Sequence, residues 1–182
     1  MRFIKTKIKD LIILEPEIFG DNRGYFIESY NQKKFEDIVG KVLFVQDNES
    51  KSKKGVLRGL HFQKPPFDQA KLVRCISGKV LDVAVDLRNG SKTYGQHLAL
   101  ELSSENKRQL FVPRGFAHGF LVLSENAIFS YKVDNVYAPD YDSGIRWNDS
   151  KLNINWGIDD SHVLVSDKDS NLPFFSDFKS PF

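Results

Sequence analysis

Cysteine is almost missing from this chain of 182 residues: Cys75 stands alone, so no intrachain disulfide and no cysteine-built metal cluster can form. Nothing therefore demands an oxidising compartment. An excess of either charge is missing as well. Lys and Arg number 26 against 24 Asp and Glu, a formal net charge of +2, too slight to hold a nucleic-acid backbone by electrostatics. Any acidic ligand must be met by local groups. Long apolar runs are also absent: the opening "MRFIKTKIKDLIILEPEIF" carries an apolar stretch too short, and too broken by charge, for a signal peptide or a membrane span. No internal repeat and no low-complexity tract interrupts the chain. These exclusions leave the expectation of a soluble protein in a reducing cytoplasm, without nucleic-acid or membrane partners. It should fold as one domain over residues 1–182, long enough to bury a core without covalent staples.

What is there reads as β-sheet. Short runs of β-branched and aromatic residues, punctuated by Gly, Pro, Asn and Asp, predict strands at Lys71–Ser77, Val80–Leu87, Gln96–Leu102, Gln109–Val112, Gly119–Leu123 and Ala127–Val133. Turns are expected at Gly78 and at Asn89-Gly90. One helix is predicted over "QKKFEDIV", capped by Asn31 and ended by Gly40, with a short helical turn near "WNDSKLNI". The lysines at 51, 53 and 54 read as a solvated loop. Many short strands with frequent turn signals make the fold class all-β, a jelly-roll sandwich or barrel with a few short helices.

The stretch "GVLRGLHFQ", residues 55–63, is strand-like but carries Arg58, His61 and Gln63, and polar groups in a core cost free energy unless something pairs with them. Strict alternation puts Leu57, Gly59, His61 and Gln63 on one face and Arg58, Leu60 and Phe62 on the other. His61 and Arg58 can then share a site only if Gly59 marks a bulge or one of them addresses a second subunit. The same alternation groups Lys71 with Val73, Asp82 with Ala84 and Asp86, and Ala127 with Phe129 and Tyr131. Pointed inward, these faces give the barrel an imidazole, an ammonium, carboxylates and a phenol. That set suits proton transfer beside a carbonyl: a base for the C–H, a cation for the enolate and an acid to return the proton. A lone His in an apolar strand is otherwise more often a satisfied core residue, and Asp82 and Asp86 read equally well as partners of barrel cations. His97 and His162 sit in no motif and read as structural.

The blocks "FGDNRGYFIES", "VQDNESKSKKGVLRGLHFQ", "QAKLVRCISGKVLDVAVDLR", "FVPRGFAHGFLVLSE", "YKVDNVYAP", "IRWND" and "VSDKD" occur in order from about Phe19 to Asp169. Together they resemble the dTDP-4-dehydrorhamnose 3,5-epimerase family. The resemblance implies a cupin-type jelly roll, a homodimer whose N-terminal strands cross to the partner's sheet, and inversion of C3 and C5 of a dTDP-linked 4-keto-6-deoxyhexose on the way to L-rhamnose. It implies no metal and no organic cofactor. Carried over residue by residue, His61 in LRGLH is the base, Asp169 its carboxylate partner, Tyr131 in SYK the acid, and Lys71 in AKLVR the neighbour of the 4-keto oxygen. Arg23 and Glu28 in NRGYFIE, Gln46 and Asn48 in VQDN, and Arg58 match contacts to the nucleotide and its diphosphate. His118 in GFAHGF matches a sugar-side position, and Lys168 and Asp142 further ligand contacts. At Asp142 the family more often carries Glu.

A cupin metal site is not expected. "PRGFAH" resembles part of the second cupin motif, but the HxH of the first is here His61-Phe62-Gln63, and Lys71 follows where a metal would want acidic or imidazole ligands. Beside the double epimerase stand two other readings. One is a nucleotide-sugar 3-epimerase, 5-epimerase or 3,4-ketoisomerase on the same scaffold; the other is a noncatalytic cupin that only binds a nucleotide sugar, against which the full set of His61, Asp169, Tyr131 and Lys71 argues.

Overall fold

The short apolar runs form strands that pair antiparallel, as the computed structural model of residues 1–182 shows. In chain order these are β1 (Arg2–Lys5), β2 (Ile12–Glu15), β3 (Ile18–Asp21), β4 (Gly24–Ile27), β5 (Gln46–Lys53), β6 (Leu57–Gln63), β7 (Lys71–Ser77), β8 (Lys79–Asp86), β9 (His97–Ser103), β10 (Gln109–Val112), β11 (Phe116–Val122), β12 (Asn126–Val133) and β13 (Asp142–Gly144). Helix α1 (Gln32–Val39) lies between β4 and β5, and the single-turn α2 (Asp167–Ser170) follows β13. A six-stranded sheet ordered β1-β2-β10-β7-β12-β5 faces a five-stranded sheet ordered β13-β6-β11-β8-β9, while β3 and β4 form a separate hairpin. This is the expected jelly roll. The predicted strands at Lys71–Ser77 and Gln109–Val112 match end to end, and the other four are found within three residues of their expected ends.

Three apolar layers hold it together. Between the sheets, Val73, Cys75, Val80, Ala84, Phe120, Ala127 and Phe129 close the inner core. Outside the five-stranded sheet, Leu57, Leu60, Val83, Val85 and Leu121 are covered by the C-terminal segment through Trp147, Leu152 and Trp156. Outside the six-stranded sheet, Ile12, Leu14, Leu72 and Phe111 are covered by α1 through Phe35, which is 0% exposed. That helix begins and ends as predicted. The Asn31 side chain accepts from the Lys34 N–H, and Gly40 closes the helix at φ 99° with its N–H on the Glu36 carbonyl.

The short helical turn expected near "WNDSKLNI" is a single turn closed by the Asn153 N–H on the Asp149 carbonyl at 3.1 Å; the buried Asp149 carboxylate caps it by accepting from the backbone N–H groups of Lys151 and Leu152, and ties the segment to the Phe175 N–H. The loop expected around Lys51 is strand β5, an edge strand paired only with β12; Lys51 and Lys53 face solvent from it while Ser50 and Ser52 turn inward. β2, the strand in "DLIILEP", pairs on both sides, with β1 and β10.

The alternation predicted for residues 57–63 also breaks, in the way Gly59 foreshadowed. His61 lies opposite His118, but Arg58 lies opposite Phe120, so three residues of β6 span two of β11. The extra residue turns Arg58 onto the face of His61 and sends Leu57 outward with Leu60 and Phe62. Two glycines make this approach possible. A Cβ on Gly59 would lie 2.5 Å from the Cα of Gly119, and one on Gly119 would lie 2.7 Å from the Arg58 carbonyl oxygen.

Candidate active site

The inner faces of the two sheets part at one end of the barrel and leave a cavity of about 640 Å³. From the five-stranded side it receives Arg58 and His61 on β6 and His118 on β11; from the six-stranded side it receives Lys71 on β7, Tyr131 on β12 and Ser50 on β5. A second lobe of about 320 Å³ shares His61, Lys71 and Tyr131 and adds Gln46, Asn48, Tyr137 and Asp142. A larger cleft of about 910 Å³ lies outside the barrel between the chain around Lys9 and the end of α1. None of the candidate residues reaches it.

His61 is held from behind. Its Nε2 lies 2.7 Å from Oδ1 of Asp169, whose other oxygen accepts the Gly59 N–H at 3.3 Å. Asp169 comes from α2, a single turn capped by the Ser166 side chain, which places a buried carboxylate behind β6. Burial pushes that carboxyl up, but the hydrogen bond and charge of His61 and the Gly59 N–H outweigh it and hold the group below its ordinary value. With its Nε2 hydrogen donated to a carboxylate, the imidazole keeps its lone pair on Nδ1. A base oriented in this way is what the arrangement offers.

Tyr131 stands on the opposite sheet, and its phenol is pushed up by burial, partly offset by the charge of Arg58. Lys71 lies beside it, with Nζ 6.0 Å from the centre of the Tyr131 ring. Burial lowers the Lys71 ammonium to about 8, against the opposing pull of Asp142 and Asp82. Its neighbours therefore matter to whether it carries charge.

His118 belongs to a second pair: its Nε2 is 2.8 Å from Oδ1 of Asp82, which is fully buried. Arg58 donates through Nε to Ser52 at 3.1 Å and keeps the rest of its guanidinium toward the cavity. At the rim, Lys168 and Tyr137 both donate to Asp142, and this pairing raises Lys168. Gln46 donates to Asn48 at 2.8 Å across the same inner face of β5. Asp86, expected inside with Asp82, is instead a structural anchor: it accepts from Arg88, Ser91 and Thr93 in the turn after β8 and is held near 2. No group of three His, Cys, Asp or Glu side chains gathers as metal ligands.

Two predicted contacts are not brought to the cavity. Arg23 and Glu28 belong to the β3–β4 hairpin and its exit, where Arg23 pairs with Asp21 and Glu28 with Lys34. That hairpin pairs with neither sheet and touches the barrel through Tyr25, whose hydroxyl accepts from Lys107. The reading from sequence also missed Ser50 and Tyr137, which line the cavity and its second lobe. Inward alternation of Gln46, Asn48 and Ser50 was the available signal for the first; nothing in the local pattern marked the second.

Comparison with known proteins follows the same lines. The dTDP-4-dehydrorhamnose 3,5-epimerase family profile matches residues 5–177. The dTDP-4-dehydrorhamnose 3,5-epimerase of Shigella flexneri is 56% identical over 178 residues, 97% of each chain. The crystal structure of the enzyme of that name from Elizabethkingia anophelis superposes with a TM-score of 0.94 at 56% identity, covering 97% of both chains. A dTDP-6-deoxy-D-glucose-3,5-epimerase from Legionella pneumophila, solved in complex with dTDP-4-keto-L-rhamnose, superposes with a TM-score of 0.92 at 47% identity, covering 96% of this chain and 93% of that one.

Proposed function

The chain belongs to the dTDP-4-dehydrorhamnose 3,5-epimerase family, and from that membership we propose how its own residues carry the reaction. The protein is an isomerase of dTDP-L-rhamnose biosynthesis that inverts C3 and C5 of dTDP-4-dehydro-6-deoxy-D-glucose. Both protons are α to the C4 carbonyl, so loss of either places the charge on the same oxygen. One cation, Lys71, serves both steps by stabilising that enolate. His61 takes the proton through Nδ1, while Asp169 fixes the ring and steadies the imidazolium. Inversion requires the proton to return from the other side of the sugar ring, and Tyr131 delivers it. The observation that carries this reading is the placement of His61 and Tyr131 on opposite sheets of one cavity, with Lys71 on β7, the strand beside that of Tyr131.

Arg58 meets the diphosphate, and Gln46, Asn48 and Asp142 with Lys168 line the way in for the nucleotide. His118 contacts the sugar. Arg23 and Glu28 act from a second copy of the chain, because the hairpin that carries Arg23 leaves Ile18, Phe19, Tyr25 and Phe26 between 48% and 67% exposed and turns neither residue to its own cavity. A homodimer covers those side chains and completes each site. The test is NMR of the sugar product formed in deuterated water. Deuterium at both C3 and C5 with inverted configuration is expected, and neither with His61→Asn. A His61→Asn enzyme that still exchanges both positions would remove His61 as the base.

A further inference from the structure

Three buried polar side-chain atoms have no hydrogen-bond partner, Ser50 Oγ, Arg146 Nε and Asp82 Oδ2, and of these only the last belongs to a carboxylate. Oδ2 of Asp82 is sealed from solvent and accepts no hydrogen bond, although Oδ1 of the same carboxylate holds Nε2 of His118 at 2.8 Å. A buried carboxylate oxygen without a donor costs free energy, so a residue that served only the fold would be better replaced by an amide or an apolar group. Asp82 lies in the barrel interior among apolar neighbours, on the face of β8 shared with Val80 and Ala84. Directly across from it on β11 is Phe120, and two pairs further along is His118, which faces His61 on the other side. His118 is also stacked on Phe129, its ring 6.1 Å from the phenyl centre at 21°, so it has little freedom to turn.

We propose that Asp82 is a positioning residue of the epimerisation: through one oxygen it anchors the His118 ring under the sugar, and with its unpaired charge it keeps a cation at Lys71 for the enolate. This rests on the reading of Lys71 as the enolate's cation. The charged and titratable groups that line the cavity and its second lobe with Lys71 are Lys53 from β5, Arg58 and His61 from β6, His118 from β11, Tyr131 from β12, Tyr137 after β12, Asp142 from β13, and Lys168 and Asp169 from α2, with Asp82 on β8 behind His118. Of all these only Asp142 and Asp82 oppose the loss of the Lys71 proton, and Asp142 acts the more strongly. Asp142, however, is shared at the rim with Lys168 and Tyr137, and the arriving nucleotide must pass it. Asp82 is fixed, dry and out of reach of solvent ions. A substrate that displaces the rim pairs leaves it in place.

Asp82→Asn separates charge from shape, since the amide oxygen can still accept from His118 Nε2 while the negative charge is gone. The expected enzyme melts at or above the wild-type temperature, binds substrate with KM within about 3-fold, and loses kcat by about 10–100-fold at pH 8. The descending alkaline limb of kcat/KM should move to lower pH by about one unit, because Lys71 now gives up its proton more easily. Activity should therefore recover in part on acidification. Asp82→Ser, smaller and uncharged, should move the limb in the same direction, and reads the proposal if the Asn variant does not fold. A limb left in place in whichever folded variant is measured overturns the proposal, as does a loss uniform across pH with a lowered melting temperature in both. Failure of both variants to fold makes Asp82 a residue of the fold and overturns it equally. If the wild-type enzyme shows no alkaline limb at all, the reading of Lys71 itself fails.

Discussion

Lys71 should set the alkaline edge of activity. Its ammonium is lowered from 10.5 to about 8, first by burial, with Asp142 and Asp82 resisting. On that value about nine-tenths of the free enzyme carries the cation at pH 7, about half at pH 8 and about one-tenth at pH 9. If the cation is needed for the enolate, kcat/KM falls tenfold per pH unit above about 8, well below the range in which the raised phenol of Tyr131 begins to ionise. The assay is a coupled or NMR rate measurement from pH 6.5 to 10 on three proteins. Wild type should show the limb. Lys71→Met should lose about 10²–10³ in kcat with no alkaline limb left to read, the scale of a lost enolate stabiliser. Lys71→Arg, whatever its absolute rate, keeps a charge that does not titrate below about pH 12 and should lose the limb.

Stability gives an independent check of the same burial. A lysine whose folded value lies below its unfolded one binds fewer protons when folded between about 8 and 10.5, so the folded state gains stability as pH rises through that window. The difference between wild type and Lys71→Met should therefore narrow in favour of wild type from pH 8 to pH 10, read as urea midpoints. A limb that survives in Lys71→Arg belongs to another group and refutes the assignment. So does a stability difference that does not change with pH.

Further predictions follow from the two-sided site, the hairpin and the glycine contact. Tyr131→Phe keeps the ring and removes the donor, so solvent exchange with retention should persist while inversion falls by about 10²–10⁴-fold; wild-type inversion would make Tyr131 a packing residue. Replacing Phe19 and Phe26 with Ser should shift sedimentation toward monomer and weaken dTDP binding together, since the hairpin that presents them also carries Arg23; a stable, fully active monomer contradicts the dimer. Gly59→Ala puts a methyl 2.5 Å from the Gly119 Cα at φ 130°, and should cost about 2 kcal/mol or more in chemical denaturation, with His61 displaced; a variant within a few tenths of wild type would show that the bulge can relax.

Strands written in apolar residues were legible, those that carry Lys71, His118 and Tyr131 included, and the polar edge strand β5 was not. β7 and β10 are written in Leu, Val, Ile and Phe and match from end to end, because both their faces meet apolar layers. β5 is written QDNESKSK, with no β-branched or aromatic residue, and alternates between solvent and a polar cavity. Its inward residues have a ligand to satisfy instead of a core, so hydrophobic pattern cannot report it. Arg58 failed for a different reason. Period-two alternation is a rule for regular pairing, and the bulge beside Gly59 reverses it over two residues. For Arg23 and Glu28, proposed to act from a second copy of the chain, no pattern within one chain says which cavity they meet. The segment from Trp147 onward, with its turns set by Asp149 and its late phenylalanines, declares neither helix nor strand; only its burial against the five-stranded sheet explains its residues.

The distribution of apolar layers explains how the barrel tolerates so much charge inside. Asp82, Asp169, Lys71 and two histidines sit in or beside its interior, each a cost to folding unless paired, and Asp82 is only half paired. A two-layer sandwich with its only core between the sheets would lose that core to such a site. Here each sheet is buried on its outer face as well, by Phe35 and its neighbours on one side and by Trp147, Leu152 and Trp156 on the other. Those outer layers carry stability without touching the cavity, which frees the inner faces at one end for chemistry. Packing and catalysis are thus separable by side: Phe35→Ala should cost about 3–5 kcal/mol and leave kcat per folded molecule near wild type, whereas the substitutions inside the cavity should act on rate with far less effect on folding. A Phe35→Ala enzyme that folds but turns over slowly would show that the outer layer also sets the geometry of Lys71 through the neighbouring Leu72, and the division by side would fail.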